Sequence, residues 1–167
     1  MKRTLIVIDM QNDFIDGTLG TPEAQNIVSA VAEKINAYRT NGDEVIFTRD
    51  THSENYLETA EGKKLPIKHC IKGTHGWEIS DKLNCSDCEI IDKPTFGWNG
   101  WGNQRDFKNV EILGLCTDIC VVTNALILKT NYGDANITVD SKCCAGVTPE
   151  THKAALAVMQ SCQINII

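Results

Sequence analysis

The sequence predicts an α/β fold: a single domain, residues 1–167, on one parallel β-sheet of about five to six strands with helices on both faces. Three observations predict it. Short β-branched and apolar runs alternate with longer segments of helical periodicity, the pattern of successive βαβ units. The first run, Thr4-Leu5-Ile6-Val7-Ile8, does not alternate with polar residues, as expected of a central strand covered on both sides. A chain of 167 residues, 42% hydrophobic and 23% charged, suffices for one sizeable core in a soluble protein.

Each element follows from local signals. Residues 22–39 carry Ile27, Val28, Val31, Ile35 and Tyr38 at helical spacing, with Thr21 as cap and Pro22 at the first helical position. Asn41-Gly42-Asp43 is a turn, and Glu44-Val45-Ile46-Phe47-Thr48 the second strand. Residues 52–88 are polar and mixed, and predict short helices and loops. Glu89-Ile90-Ile91-Asp92 is a third strand, stopped by Lys93-Pro94 because proline cannot continue a central strand. A Gly/Trp-rich loop over 96–102 precedes the apolar run 110–113, and a helix is expected over about 118–130. Asn136-Ile137-Thr138-Val139-Asp140 is a strand, 149–161 a helix capped by Thr148, and 163–167 a last short strand. The chain shows no internal repeat, linker or low-complexity stretch.

Charge and apolar content exclude several classes of partner. A net charge of −6 argues against nucleic acid and anionic membrane surfaces. No apolar run approaches the ~20 residues of a membrane span. Lys2-Arg3 precedes only five uncharged residues before Asp9, too few for a secretory core segment. A cytoplasmic protein with reduced thiols is expected. Cys85-Ser86-Asp87-Cys88 is a lone C-x-x-C without the second pair of a zinc ribbon, and reads as a surface loop.

Three strand ends carry candidate chemistry. Asp9 closes the first run, Lys93 the third, and Gly114-Leu115-Cys116-Thr117-Asp118-Ile119-Cys120-Val121 leads from a strand into a helix. Open α/β sheets bind ligands at the carboxyl ends of their strands. A helix N-terminus favours an anion, and a cysteine there can become a working thiolate. A carboxylate, an ammonium and a thiol together suit nucleophilic catalysis. A cysteine taken alone is more often a small buried core residue, and an ordinary Asp–Lys ion pair fits the same spacing. Asp50 and His52 stand two apart in extended chain, so both side chains can reach one ion, with His69 as a third ligand. Residue types alone favour surface positions for these three.

The segments Ile8-Asp9-Met10-Gln11-Asn12-Asp13-Phe14, Thr48-Arg49-Asp50-Thr51-His52, His69-Cys70-Ile71-Lys72-Gly73-Thr74, Lys93-Pro94-Thr95-Phe96 and the Cys120 segment occur in one order along nearly the whole chain. In that order and spacing the chain resembles the isochorismatase-like cysteine hydrolase superfamily, whose fold is Rossmann-like, and within it the nicotinamidase type. The resemblance implies a catalytic triad of Asp9, Lys93 and Cys120. It implies a non-proline cis peptide at Leu115-Cys116, with the backbone N–H groups of Cys116 and Cys120 as oxyanion hole. It turns Asp50, His52 and His69 into ligands of one divalent metal ion, with Zn²⁺ ahead of Fe²⁺ or Mn²⁺. Phe14 matches a ring-packing position of the family, although core packing explains a phenylalanine equally well. His75 and His152 match no ligand position and read as surface residues.

The implied reaction is hydrolysis of a small aromatic amide, nicotinamide first, through a cysteine thioester, by a homo-oligomer. One departure bears on the substrate. Nicotinamidases commonly place a tryptophan three residues before the last metal-binding histidine, and this chain has Pro66 there. Trp98 and Trp101 are candidates for the missing pocket wall, and equally for core or interface. A cysteine hydrolase of another small amide or carbamoyl compound, and a catalytically silent scaffold of the same fold, are the alternatives.

Overall fold

Thr4–Ile8 forms β1, and all five of its residues are buried, as the unbroken apolar run requires. The computed structural model describes residues 2–103 and 105–167. The chain continues through α1 (Asn12–Ile15), α2 (Pro22–Thr40), β2 (Glu44–Asp50), α3 (Ala60–Lys64) and β3 (Glu89–Lys93). The second half runs β4 (Asn109–Leu115), a π-helical turn (Thr117–Val121), α4 (Val122–Asn131), β5 (Asn136–Ala145), α5 (Pro149–Ser161) and β6 (Asn165–Ile166).

The strands form one parallel sheet of six in the order β3-β2-β1-β4-β5-β6. The order reverses at β1. Successive strands move outward one way through β2 and β3, and the other way through β4, β5 and β6. Right-handed crossovers on either side of such a reversal put the intervening helices on opposite faces. The connections that leave the carboxyl ends of β1 and β4 diverge there, the position at which open α/β sheets form a crevice. Asp9 follows β1 and the Cys116–Cys120 segment follows β4, so the topology delivers both to that crevice.

Local chemistry explains the long helices. Thr21 Oγ1 accepts the Ala24 N–H at 3.0 Å with Pro22 at the first helical position, and one face of α2 (Ala24, Ile27, Val28, Val31, Ile35, Tyr38) is buried. Thr148 and Thr151 cap α5 reciprocally.

Two elements differ from the sequence expectation. The helix expected over 118–130 begins as a π-helical turn and becomes α-helical only at Val122. The last strand shortens to Asn165–Ile166 because Gln163 adopts φ +63°. Gly114 in β4 has φ +121°, and a Cβ there would lie 2.1 Å from the Ile8 carbonyl oxygen. Only glycine lets β4 lie this close to β1 beside the crevice.

Candidate active site and metal centre

Strand register builds the centre. Asp50 and Lys93 are direct partners where β2 pairs with β3. Asp9 turns out of β1 with φ +47°, held by its N–H on the Thr48 carbonyl and by the Thr48 hydroxyl, which donates to Asp9 Oδ1 at 2.6 Å. Lys93 Nζ lies 2.6 Å from Asp9 Oδ2 and 3.4 Å from Asp50 Oδ1. It also donates to the Thr95 carbonyl at 3.2 Å and to Cys120 Sγ at 3.5 Å. Asp9 and Lys93 are fully enclosed, and Cys120 is 4% exposed.

This enclosure shifts the proton affinities of the three groups. Burial pushes the Cys120 thiol well above its usual range, and the Asp9 charge adds to that, while Lys93 opposes it. Burial also raises the Asp9 carboxyl, against the pull of Lys93. Burial would lower Lys93, but the charges of Asp9, Cys120 and Asp50 outweigh it and keep the ammonium protonated. Burial thus opposes the pull toward a thiolate expected of a helix N-terminus. Cys120 sits inside a π-helical turn, beside the Lys93 ammonium, which is itself paired with the Asp9 carboxyl. The peptide between Leu115 and Cys116 is cis.

Asp50, His52, Glu61 and His69 converge nearby, with one ligand atom from each lying within 4.8 Å of the others. His52 Nε2 is 3.0 Å from Asp50 Oδ2, and His69 Nε2 is 3.7 Å from the same oxygen. Glu61 Oε1 stands 3.7 Å from His52 Nε2 and 3.8 Å from His69 Nε2. The Ile67 carbonyl can only accept, so His69 Nδ1–H donates to it at 2.8 Å and leaves Nε2 with a free lone pair. Tyr56 packs its ring against both imidazoles, with centroids 4.6 and 4.9 Å away. Gln11 clamps Asp50 from both sides of its backbone, and Asp13 accepts the Cys70 N–H next to His69.

All three triad candidates come together, as do the three metal-ligand candidates, and Asp50 joins the two groups through Lys93. Phe14 is half-buried with its ring 5.6 Å from the His69 imidazole. Trp101 lies in the core. It is fully buried, donates Nε1–H to Asn124, and packs with Trp98 and Phe107. The half-buried Trp98 meets Trp101 edge-on at 4.8 Å in the same cluster. Their packing value as large apolar rings is realised in the core. His152 is not a free surface residue either, since Nδ1 lies 2.7 Å from the buried Thr117 hydroxyl.

Sequence reasoning missed Glu61 and Tyr56. Glu61 sits in a polar stretch with Glu54 and Glu58, and no spacing sets it apart. The helical turn started by the Thr59 cap on Gly62 is what brings it to the histidines.

A sequence model of the isochorismatase domain matches residues 3–167. The chain belongs to the isochorismatase family. An uncharacterized isochorismatase family protein from Bacillus subtilis is 30% identical, over 94% of this chain and 93% of that one. A nicotinamidase/pyrazinamidase from Mycobacterium tuberculosis is 26% identical, over 99% and 98% of the two chains. The crystal structure of a Pyrococcus horikoshii pyrazinamidase in complex with zinc superimposes with a TM-score of 0.87, at 29% identity, covering 100% of this chain and 99% of that chain. The six-stranded parallel sheet is thus the isochorismatase-family fold. Among the described residues no helix is long and apolar enough to cross a membrane.

Proposed function

We propose that this isochorismatase-family chain is a metal-dependent cysteine amidohydrolase that converts nicotinamide and water to nicotinate and ammonia. The observation that carries the reading is the enclosed Asp9–Lys93–Cys120 group, joined through Asp50 to a convergent set of two imidazoles and two carboxylates. Relatives named as nicotinamidases or pyrazinamidases, one of them in complex with zinc, support the substrate class.

The donor set fits a divalent ion of intermediate softness. Zn²⁺ is the first choice, and Fe²⁺ or Mn²⁺ suit the same mixture of nitrogen and oxygen. Asp50, His52 and His69 would hold it, with Glu61 in reach as a further carboxylate. Such an ion, when bound, supplies a Lewis acid and an attachment point for a ring nitrogen.

The chain's own residues account for the covalent chemistry. Asp9 takes the Cys120 thiol proton as the sulfur attacks the amide carbon, and Lys93 offsets the negative charge that develops beside it. The N–H groups of Cys116 and Cys120 take the oxyanion, a contribution of about 10²–10³ in rate per donor in comparable sites. Asp9 returns the proton to the leaving nitrogen. Ammonia departs and an acyl thioester to Cys120 remains. A water molecule then attacks the thioester with Asp9 accepting its proton, and that proton goes back to the sulfur as the acid leaves. Phe14, beside His69, packs the aromatic ring.

We further propose one domain over residues 1–167, a homo-oligomeric state and a cytoplasmic location. The eight free cysteines suit a reducing compartment. Burial of Trp101, with Pro66 exposed where the family carries its ring wall, favours as second reading another small amide or carbamoyl compound with the same triad.

The test is ammonia release from nicotinamide by purified protein, reduced and supplied with metal, beside Cys120→Ala. Release by the native protein that disappears in the variant supports the reading. A native protein that releases no ammonia from nicotinamide but does so from another small amide replaces the first reading by the second.

A further inference from the structure

Asn124 lies one helical turn beyond Cys120 and is completely buried. Its Nδ2 donates to the Cys120 carbonyl at 2.7 Å and to the Phe96 carbonyl at 3.0 Å. Its Oδ1 accepts the Trp98 backbone N–H at 3.0 Å and Trp101 Nε1–H at 2.7 Å. A side-chain amide has two donors and two acceptor positions, and all four are used here. One end of this bridge is the backbone of the nucleophile. The other is the loop that follows Lys93, whose Thr95 carbonyl accepts from Lys93 Nζ. The loop end is itself fixed. Trp101 is sealed between Trp98 and Phe107, and the Tyr132 hydroxyl donates to its carbonyl at 2.5 Å.

We propose that Asn124 is a positioning residue that couples the 94–103 loop to Cys120 and so sets the sulfur in register with Lys93. It touches no reacting atom and acts through the Cys120 carbonyl. The two tryptophans then have a task other than forming a pocket wall: they hold Oδ1 so that Nδ2 must point at the nucleophile. For turnover, the proposal rests on the amidohydrolase reading above. For thiol reactivity it does not.

Two substitutions cut the bridge at different ends. Asn124→Thr keeps the Cys120 end, because threonine and serine hydroxyls already donate to the carbonyl four residues back at Thr123, Thr130 and Ser161 in this protein, and it releases the loop. Asn124→Asp keeps the two bonds to Oδ1 and loses both donations. Each variant is read by the iodoacetamide alkylation rate of the Cys120 peptide as a function of pH, and by kcat and KM for nicotinamide. We expect alkylation and kcat to fall about tenfold or more in both, with KM within about threefold, since small misplacements of a nucleophile are costly. Trp101→Phe removes one N–H from Oδ1 at nearly constant volume, so a smaller fall in the same direction is expected. It decides the question if the Asn124 variants do not fold. Folded variants whose Cys120 alkylates within twofold of the native rate overturn the proposal. A native protein with a reactive Cys120 but no action on nicotinamide overturns only the substrate, and alkylation still decides the role of Asn124.

Discussion

Lys34 and Lys93 each sit between two carboxylates, in opposite surroundings. On one face of the sheet, Lys34 of α2 bridges Glu111 at 2.7 Å and Asp140 at 2.8 Å, while Tyr38 donates to the other Glu111 oxygen. At the crevice, Lys93 bridges Asp9 and Asp50. The Lys34 side chain is 26% exposed and finds no nucleophile among these partners, so it only offsets part of their negative charge at the edge of solvent. Lys93 is wholly enclosed, and a thiol completes its surroundings. The same Asp–Lys pairing is cohesion in one place and, on the proposed function, reactivity in the other. Burial and the third partner make the difference.

The comparison can be broken in order of expected effect. Cys120→Ala should lower ammonia release from nicotinamide by about a thousandfold or more with the fold intact, as loss of a covalent nucleophile does. Lys93→Met should act almost as strongly on kcat, whereas Lys34→Met should leave kcat within about twofold; comparable activity losses in the two would erase the distinction drawn here. Next in size, His69→Ala should lower bound metal, read by elemental analysis of the purified protein, and activity together. Full metal content in that variant would remove His69 from the ligand set.

Stability should show the reverse pattern. Lys34→Met should destabilise by about 1–3 kcal/mol at neutral pH, measured by urea unfolding, because it leaves the buried Asp140 and the half-buried Glu111 without their cation. The smallest effect is its pH dependence. Paired with Lys34, Asp140 is held below the usual carboxylate range, so this stabilisation is present above an unfolded-state pKa of about 3.9 and is lost as pH falls through the lower folded value. Lys34 is raised by the same partners, so stability is retained below an unfolded value of about 10.4 and lost as pH rises past it. The gap between native and Lys34→Met stability should therefore be widest between about pH 4 and 10. A gap unchanged at pH 3 would show that the lysine acts by packing rather than by charge.

Most of the fold was legible because it rests on local signals. Thr21-Pro22 and Thr148-Pro149 announce helix starts, and unbroken apolar runs announce buried parallel strands. The six candidate residues for the triad and the metal could be singled out because they fall at strand ends or in segments of recognisable spacing. Glu61 and Asn124 could not. Each owes its position to tertiary packing: α3 folding back on the histidines, and α4 meeting the 94–103 loop. The tryptophans stayed open between pocket, core and interface for a related reason. Two large rings in a Gly-rich loop look available for a ligand, and only the packed structure shows Phe107 and Asn124 claiming Trp101. The sequence also indicates the helix that follows Cys120 but not the burial that pushes the thiol up.

The most direct test of the central claim is to stop native turnover of nicotinamide in acid and find the acyl group by peptide mass spectrometry. The account predicts a nicotinoyl thioester on the peptide containing Cys120, absent when Cys120→Ala is treated alike. Steady ammonia release with no adduct on Cys120, undiminished in that variant, would contradict it.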